Sequence, residues 1–372
     1  MAERTASPVI RGLRRYSRHL LIPEVGLAGQ ERLAAARVLC IGAGGLGSPV
    51  LQYLAAAGAG RIGIVDDDTV EESNLQRQTL FSTADIGKPK AAIAAARVLG
   101  INPLVAADAI PLRFNAANAR ELVQLYDVVV DCTDRFETRY LINDACILEG
   151  KPVVYGSIFR FDGQVSVFDR AGPCLRCLFP QAPPPGTVPT CAEGGVLGVL
   201  AGMVGAFQAA EALKLILGIG ESLKGRLLLI DSLGARVREF AIECDQSCAL
   251  CGDDATIRDV SEEQAEPAVH GIPEIEAAEL DGALERAQLL DVREAHEAVL
   301  GLVDGALHIP ASDLPARLHE LDSSKRYVVA CRVGQKSLWA AQLLRDAGFA
   351  HVEHLRGGLL PYAAQHQDFE FF

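Results

Sequence analysis

A doubly wound, mostly parallel α/β sheet followed by a smaller α/β unit is the fold class that the sequence predicts. Three observations predict it. Short β-branched runs alternate with Ala-rich amphipathic stretches through the first half, the order that makes parallel strands with helical crossovers. A glycine-rich turn, Gly42–Gly47, joins one such run to the helix after it. The texture then breaks after Cys251, and a second strand-and-helix pattern starts at Ile272.

The elements follow in order. Arg37–Ile41 is a strand, and Ser48–Ala57 is the helix behind the glycine turn. Arg61–Asp66 is the next strand, then Lys88–Leu99 a helix with Pro89 acceptably near its start. Tyr126–Asp131 and Pro152–Tyr155 are buried strands separated by a helix over Thr138–Leu148. Gly163–Phe168 and Arg226–Ile230 add strands, with a Pro-rich loop, Ala182–Pro189, between them. Gly194–Ala210 has 17 residues without a charge, whereas a membrane span needs about 20 apolar residues. Glu211 and Lys214 follow at once, so the segment reads as a buried helix and not as a membrane element. Asp253–Gly271 carries six acidic residues against the single Arg258 and reads as a flexible, solvated linker. The expected organisation is therefore a first domain over 1–252, a linker over 253–271 and a second domain over 272–372. The second has strands at Gln288–Leu290 and Tyr327–Ala330 and a helix at Ser337–Ala347.

Composition bounds the function. Of 372 residues, 49% are hydrophobic and 22% charged, enough for two cores and incompatible with a disordered or collagen-like chain. The net charge of −13 argues against a nucleic-acid surface spread over the whole protein. That charge is uneven. Residues 1–252 hold 25 basic and 26 acidic groups, whereas 272–372 hold 9 and 16. Ten cysteines are too few for a disulfide scaffold, and the Arg-rich Met1–Gly26 lacks the apolar core of a secretory leader. Cytoplasmic, reduced thiols with metal or catalytic duties are the expectation.

Gly42-Ala43-Gly44-Gly45-Leu46-Gly47 fits G-x-G-x-x-G after a strand and before a helix, a Rossmann-like arrangement. Glycines let the backbone approach phosphates, and the helix N-terminus offers free N–H groups. Asp66 ends the next strand, where a carboxylate binds ribose hydroxyls. Arg77 and Lys90 are placed to neutralise a triphosphate, and Asp131-Cys132-Thr133-Asp134 offers oxygen ligands for Mg²⁺. Hard oxygen ligands plus cations suit phosphoryl-centred chemistry better than hydride transfer.

GAGGLG, VDDDTVEESNLQRQ, IGKPKA and DCTDRFETRYLINDAC together resemble the MoeB/ThiF family of adenylating enzymes, relatives of the ubiquitin-activating E1 enzymes, from Arg15 to about Gly252. The resemblance implies ATP-dependent adenylation of the C-terminal glycine of a small ubiquitin-like protein. It implies that Gly42, Gly44, Gly45, Gly47 and Asp66 bind ATP, that Asn74, Arg77 and Lys90 contact phosphates, and that Asp134 holds Mg²⁺. Arg15-Tyr16-Ser17-Arg18-His19 resembles the family's N-terminal signature, which implies a homodimer with Arg18 reaching the other protomer's ATP site.

Cys174-x-x-Cys177 and Cys248-x-x-Cys251 are paired knuckles. Four thiolates suit a closed structural Zn²⁺ site; redox use of each pair is the alternative, and the resemblance implies zinc. Cys40, Cys132, Cys146 and Cys244 are left as packing residues. Cys191 follows the Pro-rich loop and precedes a glycine-rich helix start, a setting that offers mobility and a helix dipole that would lower a thiol pKa. The resemblance places it in the crossover loop that handles acyl or sulfur groups.

Cys331-Arg332-Val333-Gly334-Gln335-Lys336-Ser337 runs from a buried strand into a helix. Inward N–H groups, Arg332 and Lys336 would there stabilise a thiolate or a persulfide. With LDVRE, GALHIP and Arg356-Gly357-Gly358, the domain resembles single-domain rhodaneses, Asp291 and Arg293 being structural. The whole chain resembles the MoeZ/MoeBR type. That implies a cycle in which Cys331, loaded by a cysteine desulfurase or thiosulfate, attacks the acyl-adenylate of a carrier ending in Gly-Gly. Cys191 then releases a thiocarboxylate, with the linker as tether. The rivals are a conventional E1 holding a thioester on Cys191, a nicotinamide-dependent oxidoreductase and a non-catalytic scaffold. The carrier could belong to molybdenum cofactor, thiamine or secondary metabolism.

Overall fold

The computed structural model describes residues 12–181, 194–261, 271–299 and 301–366. They form two units, the first from residues 12–181 and 194–261, the second from 271 onward.

The first unit is built on eight strands: β1 (Arg37–Ile41), β2 (Arg61–Val65), β3 (Ala106–Ile110), β4 (Val128–Asp131), β5 (Val153–Phe159), β6 (Asp162–Phe168), β7 (Arg226–Asp231) and β8 (Arg236–Ala241). Their order is β3-β2-β1-β4-β5-β6-β7-β8. The first five pair in parallel, and β5 to β8 continue antiparallel. Strand order reverses between β1 and β4, the place where open α/β sheets bind ligands. All four residues of β4 are buried, as expected of a central strand covered on both faces.

Two of these strands are absent from the sequence reading. β3, AADAI, lacks β-branched residues before its last position and is half-exposed at the sheet edge. β8, at the other edge, is exposed along its whole length. Neither has the period-2 burial that betrays a strand.

The helix expected over Gly194–Ala210 spans Gly198–Leu217. It runs through Glu211 and Lys214 because both are accommodated: Glu211 is buried, accepts the Leu223 N–H at 2.8 Å and pairs with Lys214. By length and composition it is the described helix that could cross a membrane. Here it lies against β5, β6 and the Gly47–Ala57 helix. Gly205 makes that contact close, since a Cβ there would come within 2.6 Å of the Leu46 carbonyl oxygen.

Residues 253–261 are anchored to the first unit at Ala255, Ile257 and Val260, while the other six, all three acidic ones included, stay exposed. The N–H groups of Thr256 and Ile257 both reach the Ala249 carbonyl at 2.8 Å, Asp259 pairs with Arg120 at 3.0 Å, and Val260 packs on the core. Spaced apolar residues tie the segment down while its acidic side chains remain in solvent. Cys244 is exposed, not a packing residue.

The second unit carries β9 (Glu274–Ile275), β10 (Gln288–Asp291), β11 (Leu307–His308), β12 (Tyr327–Ala330) and β13 (Val352–Leu355). They form a parallel sheet in the order β11-β10-β12-β13-β9. One face packs Leu290, Val329 and Leu344, the other Leu289, Val328 and Leu355. The helix entered from the Cys331 loop spans Gln335–Asp346.

Candidate functional site

At the switch point, the Ala43 N–H donates to Asp66 Oδ2 at 2.8 Å and the Asp68 N–H to Oδ1 at 3.0 Å. Burial pushes the Asp66 carboxyl up, against these two bonds that hold it down. Each oxygen keeps a lone pair for an incoming hydroxyl. Gly42 has φ +96°, and a Cβ there would meet the Cys132 carbonyl oxygen at 2.7 Å. The glycine turn thus rests on the chain leaving β4.

Arg77 lies over the same turn, its Cγ 3.5 Å from the place a Cβ on Gly45 would fill, while its Nη1 donates to the Ser73 carbonyl at 3.1 Å. Lys90 is buried, its Nζ 3.1 Å from Asp68 Oδ2. It is thereby linked through Asp68 to the Asp66 loop. Asp131 is buried and accepts the Thr133 N–H at 3.0 Å and its hydroxyl at 2.8 Å; burial pushes its carboxyl up. Asp134 is exposed on the loop that follows. Arg139 donates to the Thr133 carbonyl at 3.1 Å and steadies that loop.

So Gly42, Gly44, Gly45 and Gly47, with Asp66, Arg77, Lys90 and the 131–134 segment, gather beyond the ends of β1, β2 and β4. Asn74 is used by its own turn, where its Oδ1 accepts the Glu71 N–H at 3.3 Å. Arg18 is exposed on the short helix Ser17–Leu20.

The four knuckle cysteines converge, their sulfurs all within 4.8 Å of one another. Four edges measure 3.3, 3.4, 3.6 and 4.0 Å. A tetrahedron of thiolates about 2.3 Å from a metal has edges of about 3.8 Å, so the set fits a metal ion. Burial and the neighbouring thiols push Cys174 up, and burial pushes Cys251 to about 12. A cation among them would offset the charge of the four sulfurs as thiolates.

In the second unit Cys331 follows β12 and is 1% exposed. Its Sγ receives the N–H groups of Gly334 at 3.2 Å and Ser337 at 3.3 Å, and lies 3.6 Å from the Ser337 hydroxyl. Gly358, at φ +69°, lets the chain after β13 close against this loop, where a Cβ would run into Arg332. The Leu359 N–H then bonds the Cys331 carbonyl at 2.8 Å. Burial nevertheless outweighs the N–H cradle and pushes the thiol up. The sequence expectation also gave Lys336 a free charge. Its Nζ is 3.0 Å from Glu297 Oε2, and the two side chains are 15% and 9% exposed. Asp291 and Arg293 form a buried pair, Nη2 to Oδ2 2.6 Å, that pins the loop after β10.

The ThiF family pattern matches residues 16–250, and a rhodanese-like domain matches 276–365. The chain belongs to the ThiF family. Among relatives of this ThiF protein, the Thermus thermophilus sulfur carrier protein adenylyltransferase is 53% identical, over 68% of this chain and 96% of its own. The probable adenylyltransferase/sulfurtransferase MoeZ of Mycobacterium tuberculosis is 45% identical, over 95% of this chain and 93% of its own. The crystal structure of E. coli MccB with MccA-N7isoASN matches with a TM-score of 0.55 at 24% identity, covering 60% of this chain and 69% of that one, a likeness of fold alone. This ThiF protein is accordingly an enzyme of the adenylyltransferase and sulfurtransferase class.

Cys191 lies outside the described residues. Arg139 and Glu297, which lie beside the sites, were not singled out from sequence, whereas Asp68 and Ser337 stood in the polar runs that the sequence marked but were given no role of their own. Glu297 had no sequence signal, since Glu294 is not one of the usual capping residues, although the two cap the Ala295–Ala298 helix reciprocally. Arg139 had none, because its bond to the Thr133 carbonyl depends on how the loop after β4 turns into its helix.

Proposed function

We propose that the chain adenylates the C-terminal glycine of a small ubiquitin-like sulfur-carrier protein and converts it to a thiocarboxylate with sulfur carried on Cys331. The observation that carries this reading is the Cys331 sulfur seated among the Gly334 and Ser337 N–H groups, in a chain that also assembles Asp66, Arg77 and Lys90 around a glycine turn. Arg77 and Lys90 would draw charge from the triphosphate while the carrier carboxylate attacks the α-phosphate, giving an acyl-adenylate and pyrophosphate. Asp134 would hold Mg²⁺, which supplies further neutralisation of the phosphates when bound. The Cys331 persulfide then attacks the acyl carbon and AMP leaves. The Cys191 thiolate attacks the Cys331 sulfur, which releases the thiocarboxylate and leaves a Cys191–Cys331 disulfide for an external thiol to reduce.

Zinc is the metal the four cysteines would hold, in a closed site. Arg18, exposed near the N-terminus, would complete the ATP site of a second protomer in a homodimer. The reducing cytoplasm suits a cycle that ends in a disulfide.

Carrier-dependent ATP–pyrophosphate exchange, with mass spectrometry of the carrier, tests the reading. In Cys331→Ala, exchange should persist while the thiocarboxylate, heavier by about 16 Da (O replaced by S), disappears. Undiminished thiocarboxylate would remove Cys331 from the cycle. A hydroxylamine-sensitive link between the carrier and Cys191, formed without Cys331, would favour a conventional E1.

A further inference from the structure

The Lys336–Glu297 pair carries a consequence for which sulfur donor the second unit accepts. Lys336 sits where the Cys331 loop enters its helix, beside the Ser337 N–H that points at the sulfur. A free ammonium there would attract a small dianion such as thiosulfate. Glu297 Oε2 instead holds Lys336 Nζ at 3.0 Å and also accepts the Glu294 N–H at 2.8 Å, which caps the Ala295–Ala298 helix. The carboxylate is fixed by its own helix and is mostly buried, so pulling Lys336 away would leave a charge poorly solvated. Residues 272–372 hold 9 basic and 16 acidic groups, a background that repels dianions further.

We infer that Glu297 is a specificity-determining residue. By neutralising Lys336 it turns the Cys331 loop away from small dianionic donors and toward persulfides carried on cysteine, whose charge is lower. The inference rests on Cys331 as the sulfur carrier. With thiosulfate, the Cys331 thiolate attacks the outer sulfur, the S–S bond of thiosulfate breaks and sulfite leaves with its electron pair. Cyanide then takes the terminal sulfur as thiocyanate and restores the thiolate.

The test measures thiocyanate formation by the full chain with thiosulfate or cysteine persulfide as donor. Glu297→Gln keeps an acceptor for the helix cap and removes the charge; Glu297→Ala serves if that variant fails to fold. The expected result is a fall in KM for thiosulfate of about tenfold, with kcat moving much less and cysteine persulfide changing by less than about twofold. Adding Lys336→Gln to Glu297→Gln should abolish the gain, which a merely structural role for Glu297 would not predict. No gain with thiosulfate in a folded Glu297 variant, or a gain that survives the loss of Lys336, overturns the inference alone. Thiocyanate formation surviving Cys331→Ser overturns the carrier role of Cys331 together with it.

Discussion

Cys331 is held between two opposing effects, and its reactivity depends on their balance. Desolvation at 1% exposure favours the neutral thiol, while the Ser337 hydroxyl and the N–H groups of Ser337 and Gly334 favour the anion. Desolvation is the larger, so the free thiol ionises above its ordinary range and loading with sulfur should quicken as pH rises. Ser337→Ala removes a group that lowers the pKa. It should slow loading near neutrality by about fivefold and move the pH midpoint further up. Alkylation of Cys331 against pH, followed on its own peptide by mass spectrometry, reads both. A midpoint that stays in place in Ser337→Ala would remove the hydroxyl from this balance. The sequence disclosed the nucleophile through the basic loop around Cys331 and the rhodanese resemblance, since position alone does not mark it: Cys132 also lies between a buried strand and a helix. It did not disclose that Lys336 is neutralised, because Glu297 is 39 residues away along the chain.

Elements were legible where their pattern matched their burial. β1, β2 and β4 are buried β-branched runs and stand where expected. The edge strands β3 and β8 escaped because edge position, not residue type, makes them strands. The turn that delivers Lys90 shows a further device. Ser82 and Asp85 cap a single turn reciprocally, with the Ser82 hydroxyl 2.6 Å and its N–H 2.9 Å from Asp85 Oδ2. Arg97 reaches the same oxygen at 2.7 Å. The Ser82 hydroxyl, the Ser82 N–H and Arg97 hold the Asp85 carboxyl down at about 2. A carboxylate held below its unfolded value stabilises the fold above that value, and the stability is lost as pH falls. The gap in Tm between wild type and Asp85→Asn should therefore be full above about pH 5 and close as pH falls from about 4 toward 2. A gap that does not change over that range would show that the charge of Asp85 contributes nothing.

At the scale of the molecule, the division into two α/β units was legible because each has its own run of strand and helix signals. The fate of residues 253–261 was not, since packing of Ile257 and Val260 depends on surfaces built by distant segments. Ile257 packs beside the knuckle cysteines, which join the chain after β6 to the chain after β8. A metal there closes a loop of about 70 residues, from Cys177 to Cys248, and such closure stabilises by about 4 kcal/mol in the chain-entropy treatment. Over a unit of this size that corresponds to about 10 °C in Tm. Purified protein should hold one zinc per chain by elemental analysis. Cys248→Ser should lose the zinc and about that much Tm, whereas Cys244→Ser, exposed and outside the cluster, should keep both. Thiol counting separates the redox alternative. With chelator and denaturant but no reductant, a metal site lets all ten thiols react, whereas a pair of disulfides leaves six until reductant is added. Wild type purified without metal, or a Cys248→Ser variant as stable as the metal-loaded chain, would end the structural role of the cluster.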